Sequence, residues 1–189
     1  MAQELIGAPL TLFLAPVGTP FPDFDDPEVS FDAAWVKVGL SGDRNYTDDG
    51  VTVDLAQTIE TFTPAGGTLP RKAWRTMESV DITVNVADMR LEALSDALNN
   101  NAVTPGIDSK SIPLLKGIDV TEYALLARGL SAYDAGVSQI QVPRCYQSAE
   151  PSITFNKGEA ASAELTFAAL DPEGDAANFV WIVSDETAS

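Results

Sequence analysis

The chain has 189 residues, of which 45% are apolar, with 28 acidic against 11 basic side chains and a net charge of −17. Length and apolar content fit one folded domain with a sizeable core, while this acidity opposes binding to nucleic acid phosphate or anionic lipid. There is no histidine, which removes the commonest general base and metal ligand, and the single Cys145 cannot form an intrachain disulfide and reads as a small core residue.

In chain order, the apolar run at 5–15 has Glu4 where a signal peptide wants positive charge and is interrupted by Pro9 and Thr11, so it reads as neither signal nor membrane segment. Residues 9–17 predict a short central strand, apolar on both faces. The stretch 18–34 is different in kind. Its part 18–32 holds three prolines, three phenylalanines and five acidic residues, Asp23, Asp25, Asp26, Glu28 and Asp32. Such a length without periodicity suggests a solvated loop or an arm that orders on a neighbouring subunit, with Phe21, Phe24 and Phe31 as its anchors. Residues 35–40 predict a strand. The polar turn at 43–50 resembles a calcium loop only superficially, because Asp48 stands at the sharp-turn glycine position and Asp54 at the closing glutamate. It reads as an Asp-Gly turn.

The most informative stretch is 51–86. Alternation by twos places Val51, Val53, Leu55, Gln57 and Ile59 on one face of a first strand, with Thr52, Asp54, Thr58 and Glu60 on the other. A second strand sets Trp74, Val80, Ile82, Val84 and Val86 against Ser79, Asp81, Thr83 and Asn85. Between them, Pro64, Gly66, Gly67 and Pro70 supply a turn, so the pair predicts a long hairpin with an apolar face toward the core and a polar face toward water. The period then becomes helical at 88–99. Asp88 is placed as N-cap, Leu91, Leu94 and Leu98 form an apolar stripe, and Arg90, Glu92 and Asp96 stay wet.

Beyond the helix, 104–116 reads as loop and 120–128 as a strand apolar on both faces. Residues 137–146 form another strand, with Pro143 marking an edge or bulge. Residues 152–156 and 163–169 predict a second hairpin, 171–174 a turn and 179–183 a closing strand. The expected fold is mainly β, a single domain over 1–189: a two-sheet β-sandwich or barrel of eight or nine strands with one flanking helix.

Chemistry is sparse. Nucleophile elbows, phosphate loops, dinucleotide fingerprints and Cys-x-x-Cys pairs are absent from the sequence, so no catalytic, cofactor or metal site is expected. Arg71, Lys72 and Arg75 form the only basic cluster, which suits a salt-bridge patch for an acidic neighbour.

Three stretches together resemble the major tail tube proteins of long, non-contractile-tailed bacteriophages: 35–53; 71–84 (Arg-Lys-Ala-Trp-Arg-Thr-Met-Glu-Ser-Val-Asp-Ile-Thr-Val) with Leu91-Glu92-Ala93-Leu94; and Val142-Pro143-Arg144-Cys145 with Ser152-Ile153-Thr154-Phe155-Asn156-Lys157-Gly158-Glu159. The resemblance implies two packed sheets, a flanking helix and hexameric rings that stack into a tube around a shared inner barrel, with a long hairpin loop bridging rings. It further implies a virion protein assembled in the host cytoplasm. Its partners would be a tape measure, a tail terminator and a distal tail protein, with DNA passing through the lumen unbound and no membrane involved. The expected lumen-lining residues are Thr52, Asp54, Thr58, Glu60, Ser79, Asp81, Thr83 and Asn85, where negative charge would repel phosphates. The expected intersubunit residues are Pro64, Gly66, Gly67, Leu69, Arg71, Lys72 and Arg75 of the hairpin with Phe21, Phe24 and Phe31 of the arm. The acidic arm departs from the family pattern. Rival expectations are a tail terminator or distal tail ring protein, and a β-sandwich module that binds carbohydrate or a receptor.

Overall fold

The architecture comes from a computed structural model that describes residues 9–23, 28–87, 90–92, 95, 100–115, 117–130, 137–150, 162–173 and 181–184. The fold is mainly β. In chain order the strands are β1 (Thr11–Pro16), β2 (Val36–Lys37), β3 (Tyr46–Phe62), β4 (Lys72–Val86), β5 (Thr104–Pro105), β6 (Lys110–Ser111), β7 (Glu122–Leu130), β8 (Val137–Gln147), β9 (Ala163–Ala169) and β10 (Trp181–Ser184). Eight of these form one antiparallel sheet in the order β2-β1-β7-β8-β9-β4-β3, with β10 paired to β8 off that path. The other two, β5 and β6, form a small ladder within the stretch expected to be loop.

One face of the sheet carries the main core: Leu12 and Leu14 of β1, Leu125 and Ala127 of β7, Ile140 and Val142 of β8, Leu165 and Phe167 of β9, and Ile82, Val84 and Val86 of β4. Alternation explains the choice, because Gln139, Gln141, Thr166 and Thr83 occupy the intervening positions. The sheet curls enough for its two ends to meet. The Tyr46 hydroxyl, on β3, accepts from Leu12 N–H at 3.1 Å and donates to Val38 C=O at 2.9 Å, although β3 and β1 lie far apart along the strand path. Gly42 helps that closure: its φ is +62°, and a Cβ there would lie 2.6 Å from Thr11 Cγ2.

β1 and β7 are apolar on both faces, as their sequences predict, and both faces are covered. On the second face Phe13, Ala15, Ala124 and Leu126 pack beneath Trp35, with Phe21 and Phe31 against them. The described parts of this stretch, residues 18–23 and 28–34, therefore strap onto their own sheet. Trp35 Nε1 donates to Pro20 C=O at 3.0 Å, Gln139 Nε2 to Pro22 C=O at 3.3 Å, and Lys37 pairs with Glu28. Phe31 meets Phe13 edge-on at 5.4 Å and lies under the Arg128 guanidinium.

Several expectations need adjusting. β3 begins at Tyr46, so the Asp48-Asp49-Gly50 turn is instead a bulged part of the strand, with a register shift between Tyr46↔Val86 and Val51↔Val84. Pro143 does sit at a bulge: β7–β8 register slips between Tyr123↔Cys145 and Leu125↔Val142, where a residue without N–H cannot support the ladder. Of the expected helix, Leu91, Glu92 and Ser95 are helical, and the remainder of 88–99 apart from Arg90 lies outside the described residues. The 152–156 strand also lies outside them. Among the described residues no helix is long and apolar enough to cross a membrane.

Cys145 is fully buried, and burial pushes its thiol up to about 12. The folded protein should therefore resist thiol-directed alkylation at pH 8, and labelling should appear only with the denaturant-induced unfolding transition. Labelling that precedes unfolding would contradict the packing.

Candidate assembly surface

β3 and β4 together make a ribbon longer than the sheet that holds it. Val51 and Val53 reach the core rim and Ile82, Val84 and Val86 lie inside it, while β9 pairs with β4 only from Val86↔Ala163 to Asp81↔Ala168. From Leu55↔Val80 to Phe62↔Lys72 the ribbon is two-stranded. A third strand is missing there among the described residues, and almost every side chain is exposed on both faces. The expectation that the whole apolar face meets the core therefore fails for Leu55, 77% exposed, and Ile59, 52% exposed. A two-stranded ribbon without a packed face is marginal by itself.

The register brings all eight polar candidates to one face. Thr52 lies opposite Thr83, Asp54 opposite Asp81, and Ser79 opposite Ala56; Thr58 and Glu60 follow by twos along β3, and Asn85 by two along β4. The Thr83 and Thr166 hydroxyls, 3.0 Å apart, continue this polar surface onto β9. One further residue joins it that periodicity assigned elsewhere. Thr58 opposes Met77 but Ile59 opposes Arg75, so Thr76 is an extra residue on β4. The bulge turns Trp74 to the wet face, opposite Glu60, which corrects its placement with Val80 and Ile82. It also turns Arg75 to the other face, where Arg75 Nε donates to Gln57 Oε1 at 3.0 Å and the guanidinium pairs with Glu78.

Asp54 and Asp81 are direct cross-strand neighbours of like charge. Such a pair opposes the ladder that holds it. Asp81→Asn is expected to stabilise the isolated chain by roughly 0.2–1 kcal/mol, read as a higher urea midpoint at unchanged slope. An unchanged or lower midpoint would contradict the register.

The ribbon tip spans residues 63–71. Pro64 C=O accepts from Gly67 N–H at 2.9 Å and Phe62 C=O from Arg71 N–H at 2.8 Å, so the turn closes on itself. Gly66, Gly67, Leu69, Arg71 and Lys72 stand exposed there. Leu55 and Ile59 on one face, Trp74 and Met77 on the other, and Phe62 and the 76% exposed Leu69 toward the tip leave projecting apolar side chains in solvent, of the kind that marks a protein interface. At the base, a cleft of about 680 Å³ opens between Leu55 and Val80 of the ribbon and Val142, Pro143, Ala169 and Leu170 of the body. A second exposed apolar stretch, Ile107, Leu114, Leu115, Ile118 and Val120, escaped sequence reading because a loop has no periodicity to break.

Beside the cleft, Arg144 ties three segments together. Its Nε and NH2 donate to the two Glu122 carboxylate oxygens at 2.7 and 3.0 Å, and NH1 donates to Glu173 Oε1 at 2.7 Å and Asp171 C=O at 3.2 Å. These bonds hold the Glu122 carboxyl below its ordinary range and the guanidinium above its own. A depressed carboxyl stabilises the fold above its unfolded pKa, near 4.5, and loses that contribution as pH falls through the lower folded value. Glu122→Gln should consequently lower the melting temperature at pH 7 and lose the difference from the parent as pH drops below about 4. A deficit independent of pH would argue that packing, and not the ion pair, carries the effect.

The arm candidates are placed differently from the ribbon candidates. Phe21 and Phe31 are half-buried against their own sheet, and Phe24 lies outside the described residues. Among the described residues there is no cluster of acidic or cysteine side chains that would hold a metal ion. No family model matches this chain, and no curated protein matches it either.

Proposed function

We propose that this chain is a structural tail-tube-type protein that self-assembles into stacked hexameric rings, whose polar, acidic inner wall conducts DNA during ejection from a phage virion. The observation that carries the reading is the ribbon. Its outer half leaves large apolar side chains in solvent on both faces, and its outer strand, β3, ends the sheet path with no partner beyond it among the described residues. An edge of this length is a template for another chain. A sheet continued from protomer to protomer would satisfy it, and a barrel of many strands closed in this way leaves an open channel.

In this reading the curled sheet, with its ends joined at Tyr46, is the sandwich or barrel body, and the helix expected over 88–99 would flank it. The face bearing Thr52, Asp54, Thr58, Glu60, Ser79, Asp81, Thr83 and Asn85 lines the lumen, where carboxylates keep the duplex from adhering. The tip residues contact neighbouring subunits. Tape measure, terminator and distal tail proteins would adjoin the tube, and no cofactor is required.

Electron microscopy of the purified protein tests the proposal directly. Tubes or stacked sixfold rings are expected. Single rings that never propagate would favour a terminator or distal tail role, and isolated particles that bind glycans would replace the reading with a carbohydrate-binding module. A structure of the tube with the eight polar side chains on its outer wall would reject the lumen assignment.

A further inference from the structure

Charge along the ribbon is sharply segregated. Residues 61–77 contain Arg71, Lys72 and Arg75 and no acidic side chain, so this segment carries +3 and leaves −20 on the rest of the chain. Arg75 is engaged by Glu78, whereas Arg71 and Lys72 are exposed and engage no carboxylate among the described residues. At the other end of the ribbon, Asp43 of the turn before β3 and Asp48 and Asp49 of β3 are exposed, and the last two stand on the bulge that interrupts the β3–β4 register. The ribbon therefore has a cationic tip and an anionic root.

The two ends cannot meet within one chain. From Asp48 to Phe62, which pairs with Lys72, β3 extends for fourteen residues, roughly 45 Å at the usual strand rise. Contact between complementary ends of a rod requires a second rod. Because the two patches differ, such contact is head-to-tail, and a head-to-tail interface propagates where a twofold one would close.

Resting on the assembly reading above, we propose that the occupant of the ribbon tip is the root of a second copy: Arg71 and Lys72 of one protomer dock on Asp48 and Asp49 of the next, with Leu69 adding apolar contact. The rest of the chain carries a net −20, so mutual repulsion disfavours alternative registers and the tip selects the approach that relieves it. The contact gives the assembly its polarity, and its attraction weakens as salt screens it.

Charge exchange tests this. The full chain is assembled at low salt and followed by light scattering and sedimentation, with circular dichroism melts to verify folding. The pair R71E/K72E, and separately D48K/D49K, should raise the concentration needed for assembly by about tenfold or more. Combining all four substitutions should restore it to near the parent value, because a reversed tip then meets a reversed root. Mixing the two double variants should restore assembly by alternation, since the acidic tip of one meets the basic root of the other and the basic tip of the second meets the acidic root of the first. The neutral R71Q/K72Q serves if a reversal disturbs folding, with a smaller increase expected. Assembly by either reversal at the parent concentration, or a fourfold variant as impaired as the doubles, would overturn the tip-to-root contact while leaving self-assembly intact. Absence of assembly by the parent chain would overturn both.

Discussion

Replacing residues 63–71 with a two-residue Asn-Gly turn is expected to leave a folded protein that no longer polymerises. The core side chains of β4, Ile82, Val84 and Val86, lie well below the excision, as do Val51 and Val53 at its rim. The replaced segment has its side chains in solvent apart from the half-buried Pro64. The unfolding free energy should therefore change by no more than about 1 kcal/mol, in line with surface alterations generally. The Asn-Gly pair suits a tight hairpin turn, so the shortened ribbon can still close. Chemical denaturation would measure the first effect and electron microscopy the second. Tubes formed as readily by the shortened chain would remove the tip from the interface, and loss of folding would show that it packs on the body.

The opposite outcome is expected at the centre of the sheet. Phe167 is 1% exposed, lies opposite Ile82 on β4 and Gln147 on β8, and belongs to the main core. Phe167→Ala removes a ring from a close-packed interior and leaves a cavity, at a cost of about 3–5 kcal/mol. Native domains are stable by only about 5–15 kcal/mol, so this one substitution takes a large share. Urea unfolding should show a much lower midpoint, and assembly should fall with the folded fraction. A loss below about 1 kcal/mol would mean that the site collapses around the vacancy. The two variants separate the roles of the molecule: one keeps the fold and loses the surface, the other weakens the fold that presents the surface.

Much of the strand pattern was legible because alternation is local. A strand over 163–169 follows from Ala163, Leu165 and Phe167 recurring by twos, and the hairpin from two such runs around a Pro-Gly-rich turn. Pro143 announced its bulge because a missing N–H acts on its own ladder position. The two-sided burial of β7 was visible in consecutive apolar residues from Tyr123 to Ala127. Six of the eight polar residues fell on one face because the register joining them is uninterrupted from Thr52↔Thr83 to Thr58↔Met77, and Glu60 and Asn85 follow by twos along their own strands.

Other features depended on distant partners. Thr76 looks like any strand residue, yet as an extra residue in the ladder it inverts the faces beyond it and sends Trp74 to the polar side. Leu55 has the period of a core residue but projects past the last contact with β9, where no layer among the described residues covers it. Phe21 and Phe31, read as anchors for another subunit, lie against Phe13 and Leu126 of their own sheet. The sequence alone thus determined which segments extend and which side of each is greasy, since both are set by neighbours one or two residues away. Only the tertiary structure decided where the sheet ends, which apolar faces find a cover and which remain bare, because burial is settled by residues brought together from opposite ends of the chain.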